Sequence, residues 1–261
     1  MPDFSLTFLG TGTSIGVPVV GCHCAVCESD EPRNKRLRAS IHVQTPESAW
    51  IVDTGPDLRQ QCLREGIEAI DAVLITHAHT DHIMGFDDLR RFTFENDRFL
   101  PVYTTAFTME RLERAFEFAF NGENRYRGYF KPDPHIVSGP FSLGNTTITP
   151  LPVDHGKVET IGFLFERNDP DRRVAYIPDC KTVSPEATAL LKNVDTLIID
   201  GLKHSSHPTH MNVDDAVAFA QSVRAQQTYL THLACEIDFY PTEQSLPNQI
   251  HLAYDGLRLE W

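Results

Sequence analysis

Residues 76–82 read THAHTDH, three histidines and an aspartate within seven positions. Neutral imidazole and carboxylate are donors that divalent transition ions prefer, and crowding so many hard-to-bury groups together suggests two ions rather than one. The competing reading is a polar turn whose histidines only cap backbone groups, and short motifs do match by chance. Three distant residues weigh against it. His155 ends TTITPLPVDH, Asp179 ends RVAYIPD and His232 ends QTYLTH, each after an apolar, strand-like run. Polar residues at the ends of adjacent strands can gather at one edge of a sheet, where a rigid scaffold holds reactive groups in place.

The elements that must position them are short apolar or alternating runs separated by Gly, Pro and Asp. Residues 4–10, 40–45, 49–55, 72–77, 101–105, 146–155, 161–166, 173–179, 196–200, 227–232 and 251–261 read as strands. Helical patterns fall between them. PDLRQQCLREG opens on a proline and closes on Gly66, FTMERLERAFEFAF repeats apolar residues every three or four positions, and Asn212 with Asp215 resembles a capping pair before VDDAVAFAQSV. Many strands with helices interspersed predict an α/β fold, an αββα sandwich of two mixed sheets flanked by helices. Neither a linker nor a repeat divides the chain, so residues 1–261 are expected to form a single domain. Residues 121–140, rich in aromatic and basic side chains, are expected to be a surface loop.

The 23 lysines and arginines against 36 aspartates and glutamates leave a formal net charge of −13. Long-range attraction to nucleic acid or an anionic membrane is therefore not expected, although a local basic patch remains compatible with it. No run approaches the roughly 18 apolar residues of a membrane helix, and MPDFSLTFLG lacks the basic start and apolar centre of a secretory signal. A cytoplasmic protein is the expectation. Six cysteines are too sparse for a disulfide scaffold, and CHCAVC packs three of them too closely to bridge comfortably, so metal binding in a reducing compartment fits better.

The pattern H-x-H-x-D-H followed by separate His, Asp and His resembles the metallo-β-lactamase superfamily. LGTGTSIGVPVVGCHCAVC, VDTG at 52–55 and THxxC near the end are similar to its PhnP-like phosphodiesterase branch, with ribonuclease Z enzymes sharing the metal motif. The resemblance spans nearly the whole chain. It implies His77, His79 and His155 on one metal, Asp81, His82 and His232 on a second, and Asp179 bridging the two. Asp53 would orient a ligand or serve its own turn. The implied ions are Zn or Mn, with Fe also accepted by such donors. The implied reaction is hydrolysis of a small phosphodiester, such as a cyclic ribose phosphate, by a hydroxide bridging the two metals. Two dications, two carboxylates and a hydroxide leave one positive charge, which a singly charged phosphodiester balances.

Asp81 and His210 are the candidate catalytic residues. The PhnP-like pattern places its functional histidine just before the N-V-D helix start, which here is His210, able to contact phosphate as a cation or to act as general acid. His204 and His207 of the same loop are secondary candidates. Cys22, Cys24 and Cys27 have a spacing suited to tetrahedral zinc but lack a fourth ligand; His23 is poorly placed, and Cys235 is the better choice. PhnP-like proteins tend to carry histidine there, so the cysteine is a departure that still completes a structural zinc site. Cys62 and Cys180 are expected in the core. The competing functions are a ribonuclease Z-like tRNA 3′-processing endonuclease, weakened by the net charge, and a PqqB-like non-hydrolytic protein of cofactor biosynthesis. The expected partner is a small phosphodiester, with no membrane, nucleic acid less favoured, and a homodimer left open.

Overall fold

A run that is apolar throughout has no solvent face, and several of the strands here are apolar throughout. The computed structural model describes residues 3–94, 98–122 and 129–261. In chain order the strands are β1 (Ser5–Gly10), β2 (Ser40–Gln44), β3 (Ala49–Val52), β4 (Ala72–Leu74), β5 (Leu100–Thr104), β6 (Pro132–Ile136), β7 (Phe141–Leu143) and β8 (Thr146–Asp154). They continue with β9 (Thr160–Asn168), β10 (Asp171–Ile177), β11 (Thr182–Val183), β12 (Thr196–Asp200), β13 (Gln227–Thr231), β14 (Ile250–Leu252) and β15 (Arg258–Glu260). One sheet has the order β15-β1-β2-β3-β4-β5-β6, the other β11-β8-β9-β10-β12-β13-β14 with β7 paired to β8.

Side chains alternate between the faces of a strand, and this alternation assigns the layers. Val174 and Tyr176 of β10, with Phe163 and Phe165 of β9, join Leu6, Phe8, Ile41, Val43 and Trp50 in the core between the sheets. The intervening Ala175 and Ile177 face outward onto Ala216 and Ala220 of the helix Val213–Val223. On the opposite side Ile51 and Val73 pack beneath Leu58 and Leu112, from the helices Leu58–Glu65 and Ala106–Ala115. Both faces of each sheet are thus covered, which is the predicted αββα sandwich. Each fully buried apolar side chain of this size contributes about 1.5–3 kcal/mol.

Local signals set the helix ends. Asn212 accepts from the Asp215 amide at 2.7 Å, and Gly66 closes its helix in the left-handed region. The predicted helix over 107–120 is instead two, Ala106–Ala115 and Glu117–Phe120, separated at Phe116, whose φ of −125° and ψ of 42° leave the helical region. The predicted strand over 251–261 is also two. It turns at Gly256, so β14 pairs with β13 in one sheet while β15 pairs with β1 in the other. The buried Asp255 carboxylate secures that turn by accepting from the amides of Thr11 and Leu37. Of the segment 121–140, residues 123–128 lie outside the described residues; the remainder contains β6, an edge strand parallel to β5. Its two prolines remove amide donors, which an edge strand tolerates. Among the described residues no helix is long and apolar enough to cross a membrane.

Candidate functional site

Strand direction explains why residues so far apart in sequence meet. β10, β12 and β13 are mutually parallel, and β8 runs the same way because both it and β10 are antiparallel to β9. Their C-terminal ends therefore share one edge, and His155, Asp179, Asp200 and His232 lie at or just beyond them. In the other sheet β3 and β4 are parallel, with Asp53 directly after β3 and His77 just beyond β4. His77 and His79 precede the short helix Thr80–Ile83, which carries Asp81 and His82. The VDTG turn comes so close to this helix that a Cβ on Gly55 would lie 2.1 Å from the Asp81 carbonyl oxygen, so only glycine fits.

The structure brings together all seven residues singled out from the sequence. His77 Nε2 is 2.9 Å and His155 Nε2 3.3 Å from His79 Nδ1. The donor atoms of His77, His79 and His155 all lie within 4.8 Å of one another, as do those of Asp81, His82 and His232. Asp179 stands between the two groups, 3.2 Å from His82 Nε2, 3.3 Å from His232 Nε2 and 3.8 Å from His155 Nε2.

Hydrogen bonds at the back of the rings orient the donors. The Thr76 hydroxyl donates to Asp53 and so accepts from His77 Nδ1 at 2.9 Å. His82 Nδ1 donates to the Asp53 carboxylate at 2.8 Å, and His155 Nδ1 to the Thr209 carbonyl at 2.9 Å. Each bond places the ring proton on Nδ1 and turns the Nε2 lone pair inward. Nε2 of His82, Nε2 of His232 and Oδ2 of Asp179 are buried without a hydrogen-bond partner. Lone pairs that face one another out of water are costly unless a cation lies among them, so these residues fit divalent metal ions. Asp53 is the support for His82 and Thr76 that its position after β3 implied.

The electrostatics agree with the donor chemistry. Burial holds the pKa values of His77, His79 and His155 below the ordinary imidazole value, the neutral form in which histidine binds metal. Burial opposes charge on His82 too, yet Asp179, Asp53 and Asp81 drive its pKa well above that value. His232 is raised in the same way, against its burial, chiefly by Asp179. This half of the site is built to hold positive charge. Asp53 at φ 65° and His232 at φ 59° sit in the left-handed backbone region, at a cost of about 1–3 kcal/mol each that the packing around them must offset.

His210 lies beside the cluster, its ring 4.9 Å from that of His232 and 4.6 Å from that of His155. Its Nδ1 is 2.6 Å from Oδ2 of Asp200, a residue not singled out in the sequence. Asp200 is fully buried and also accepts from the amides of Cys180 and Leu202. Burial lowers His210 to about 4 and raises Asp200 well above the usual carboxylate range. Both shifts oppose a charge-separated carboxylate–imidazolium pair, and a proton held in the short Nδ1–Oδ2 bond leaves the other ring proton on His210 Nε2. That Nε2 has no hydrogen-bond partner among the described residues. Asp200 had a signal, since it ends an apolar strand just as Asp179 does. His207 reaches the rim of the cluster, whereas His204 is exposed and lies 3.4 Å from the Thr242 hydroxyl.

The sulfurs of Cys22, Cys24, Cys27 and Cys235 lie within 4.8 Å of one another, while His23 turns outward to Glu28. The Cys27 amide, followed by Cys22, lowers the Cys24 thiol to about 7, and burial raises Cys235 to about 12. Cys180 is fully buried, and Cys62, on the helix Leu58–Glu65, is partly buried against the core.

Two histidine-aspartate groups at the strand ends of an αββα sandwich define a class of metallohydrolase-fold protein. Residues 49–233 match the family model of the beta-lactamase superfamily domain. A crystal structure of a diphosphatase from the PhnP family is 37% identical, covers 99% of this chain and 98% of its own, and superposes with a TM-score of 0.90. The chain belongs to the metallo-β-lactamase superfamily and, within it, to the PhnP family. An octanoyltransferase of Porphyromonas gingivalis is 34% identical over 95% of this chain, which spans only 50% of that protein's length. A coenzyme PQQ synthesis protein B of Methylorubrum populi is 29% identical over 75% of this chain and 72% of its own.

Proposed function

We propose that this chain is a dinuclear metal-dependent phosphodiesterase acting on a small phosphodiester. The observation that carries this is the convergence of His77, His79 and His155 with Asp81, His82 and His232 around Asp179, beside the His210–Asp200 pair. His77, His79 and His155 would hold one ion, Asp81, His82 and His232 the other, and Asp179 both. Zn, Mn or Fe bound there would supply the Lewis acidity that makes water a nucleophile at neutral pH and offsets charge developing on the phosphoryl oxygens.

The chain's own groups account for the rest. Asp53, Thr76 and Thr209 hold the histidine donors in one tautomer and one orientation. His210 Nε2–H faces away from Asp200 and donates its proton to the departing alkoxide, leaving the remaining proton shared between Nδ1 and Asp200. Asp81, with burial opposed by His82, keeps its pKa below the usual carboxylate range and stays ionised as a ligand.

Each phosphorus of a diphosphate diester presents the same charged centre, with a phosphate ester as leaving group. The similarity to a PhnP-family diphosphatase favours this substrate as a second reading. The site does not support acyl transfer of the octanoyltransferase kind. Covalent acyl transfer calls for an accessible nucleophile beside a base, whereas the cysteine nearest the site, Cys180, is fully buried with its thiol pKa well above the ordinary value. Purified protein is expected to turn over bis(p-nitrophenyl) phosphate with manganese or zinc. No turnover with either, in protein shown to contain two active-site ions, would favour a binding or biosynthetic role of the PqqB kind.

We also propose that Cys22, Cys24, Cys27 and Cys235 hold one structural zinc, clamping the amino-terminal loop to the segment that follows His232. A reducing, cytoplasmic setting accompanies that proposal. Cys235→Ala is expected to contain one fewer zinc per chain by elemental analysis and to be less active through displacement of His232. Unchanged zinc content would remove the site.

A further inference from the structure

The loop between β12 and the helix Val213–Val223 carries three histidines, and the proton donor proposed above uses only one. His207 is half-buried, and its ring lies 5.0 Å from that of His210, on the outer side of the cluster. His232, His210 and His207 therefore form a file of imidazoles leading from the metal ligands to the rim.

Thr209 ties His207, the outer member of this file, to the metal-ligand candidate His155. Its carbonyl accepts from His155 Nδ1, while its amide and hydroxyl lie 3.4 and 3.3 Å from His207 Nδ1. A backbone amide can only donate, so His207 Nδ1 is the acceptor and the ring proton sits on Nε2. Nε2 of His207 has no hydrogen-bond partner among the described residues. Two neighbouring N–H donors, on His210 and His207, are thus held ready at the mouth of the site. One phosphoryl group at His210 leaves the second donor without use.

The surroundings of His207 suit an anion despite the net charge of −13. Burial lowers its pKa, which leaves it a neutral N–H donor, and the lysines acting on it, Lys203 and Lys181, are both cations. Lys181 and Lys203 are also paired with Asp215 and Glu236, at 2.8 and 3.6 Å, which keeps them in place at the rim.

We infer that His207 binds the second, non-reacting phosphoryl group of a diphosphate diester and so sets the preference for that substrate over a simple phosphodiester. This rests on the hydrolase function proposed above. Adjacent phosphoryl groups share one bridging oxygen, so their outer oxygens are spaced on about the scale of two neighbouring imidazole rings. A hydrogen bond to a charged oxygen corresponds to roughly a ten- to hundred-fold effect.

The test is steady-state kinetics on ADP-ribose, a diphosphate diester, and on bis(p-nitrophenyl) phosphate, which has no second phosphoryl group. His207→Ala is expected to lose roughly ten-fold more kcat/KM on ADP-ribose than on the monophosphorus ester, mainly through KM, with metal content unchanged. His207→Gln, which keeps an N–H donor, is expected to recover part of that loss, and His204→Ala should behave as wild type on both. Equal losses on the two substrates, or no loss on ADP-ribose, would overturn the assignment. Wild-type turnover of the simple ester without turnover of ADP-ribose would overturn it while leaving the hydrolase standing; turnover of neither would remove both.

Discussion

Asp179→Asn is expected to contain one active-site metal or none, and to hydrolyse phosphodiesters roughly 10³-fold more slowly. Asparagine has the same shape, so the change isolates charge. Asp179 is 2% exposed; its Oδ2, buried without a hydrogen-bond partner, faces His82 Nε2 at 3.2 Å, and its Oδ1 faces His232 Nε2 at 3.3 Å. Against its burial, His232 and His82 hold its pKa well below the ordinary carboxylate value, so the native side chain enters the site as an anion. At about 4 Å and an effective dielectric near 20, one unit charge interacts with another by about 4 kcal/mol, which corresponds to roughly three powers of ten. Removing that charge leaves two dications with little to offset their repulsion. Elemental analysis together with kcat/KM checks the prediction, and two retained ions with unchanged rate would exclude Asp179 as the shared ligand.

The second large effect is expected at His210 and depends on the leaving group. His210→Ala should lower kcat by roughly 10²- to 10⁴-fold on an ester that expels an alkoxide, the range typical of a lost general acid. On bis(p-nitrophenyl) phosphate the loss should be smaller, because p-nitrophenolate departs without a proton. Asp200→Asn should follow the same pattern with a loss of roughly 10- to 100-fold. Asparagine keeps a polar contact with Nδ1 but cannot share the extra proton that lets Nε2 remain a donor. Equal losses on both esters would instead make His210 a residue that binds phosphate. Circular dichroism of each variant confirms that the fold is retained.

The histidine-aspartate cluster was legible because its members carry local marks. His77, His79, Asp81 and His82 fall within one short motif, and His155, Asp179 and His232 each punctuate the end of an apolar run. Asp200 occupies an equivalent position in TLIID and was overlooked, since its importance lies in a partner ten residues later, brought alongside by a turn with no periodic signal. The 251–261 run was misjudged for a related reason. Apolar alternation reports that a segment is strand-like but not which sheet it joins, and here the halves join different sheets on either side of Gly256. β6 was missed because prolines suppress strand propensity, while its pairing with β5 is a long-range contact.

The layered α/β class, the seven clustered histidines and aspartates and the four clustered cysteines could all be read along the chain. These depend on residue type, spacing and hydrophobic period, all of which are local. Which imidazole nitrogen points inward, that Asp53 and Asp200 stand behind His82 and His210, and that His207 rather than His204 reaches the rim came from the folded arrangement. Those facts depend on strand direction, on backbone strain at Asp53 and His232, and on hydrogen bonds to distant groups such as the Thr209 carbonyl. A hydrogen bond needs its partner within about 3 Å, and proximity on that scale between residues far apart in sequence is set by how the chain packs.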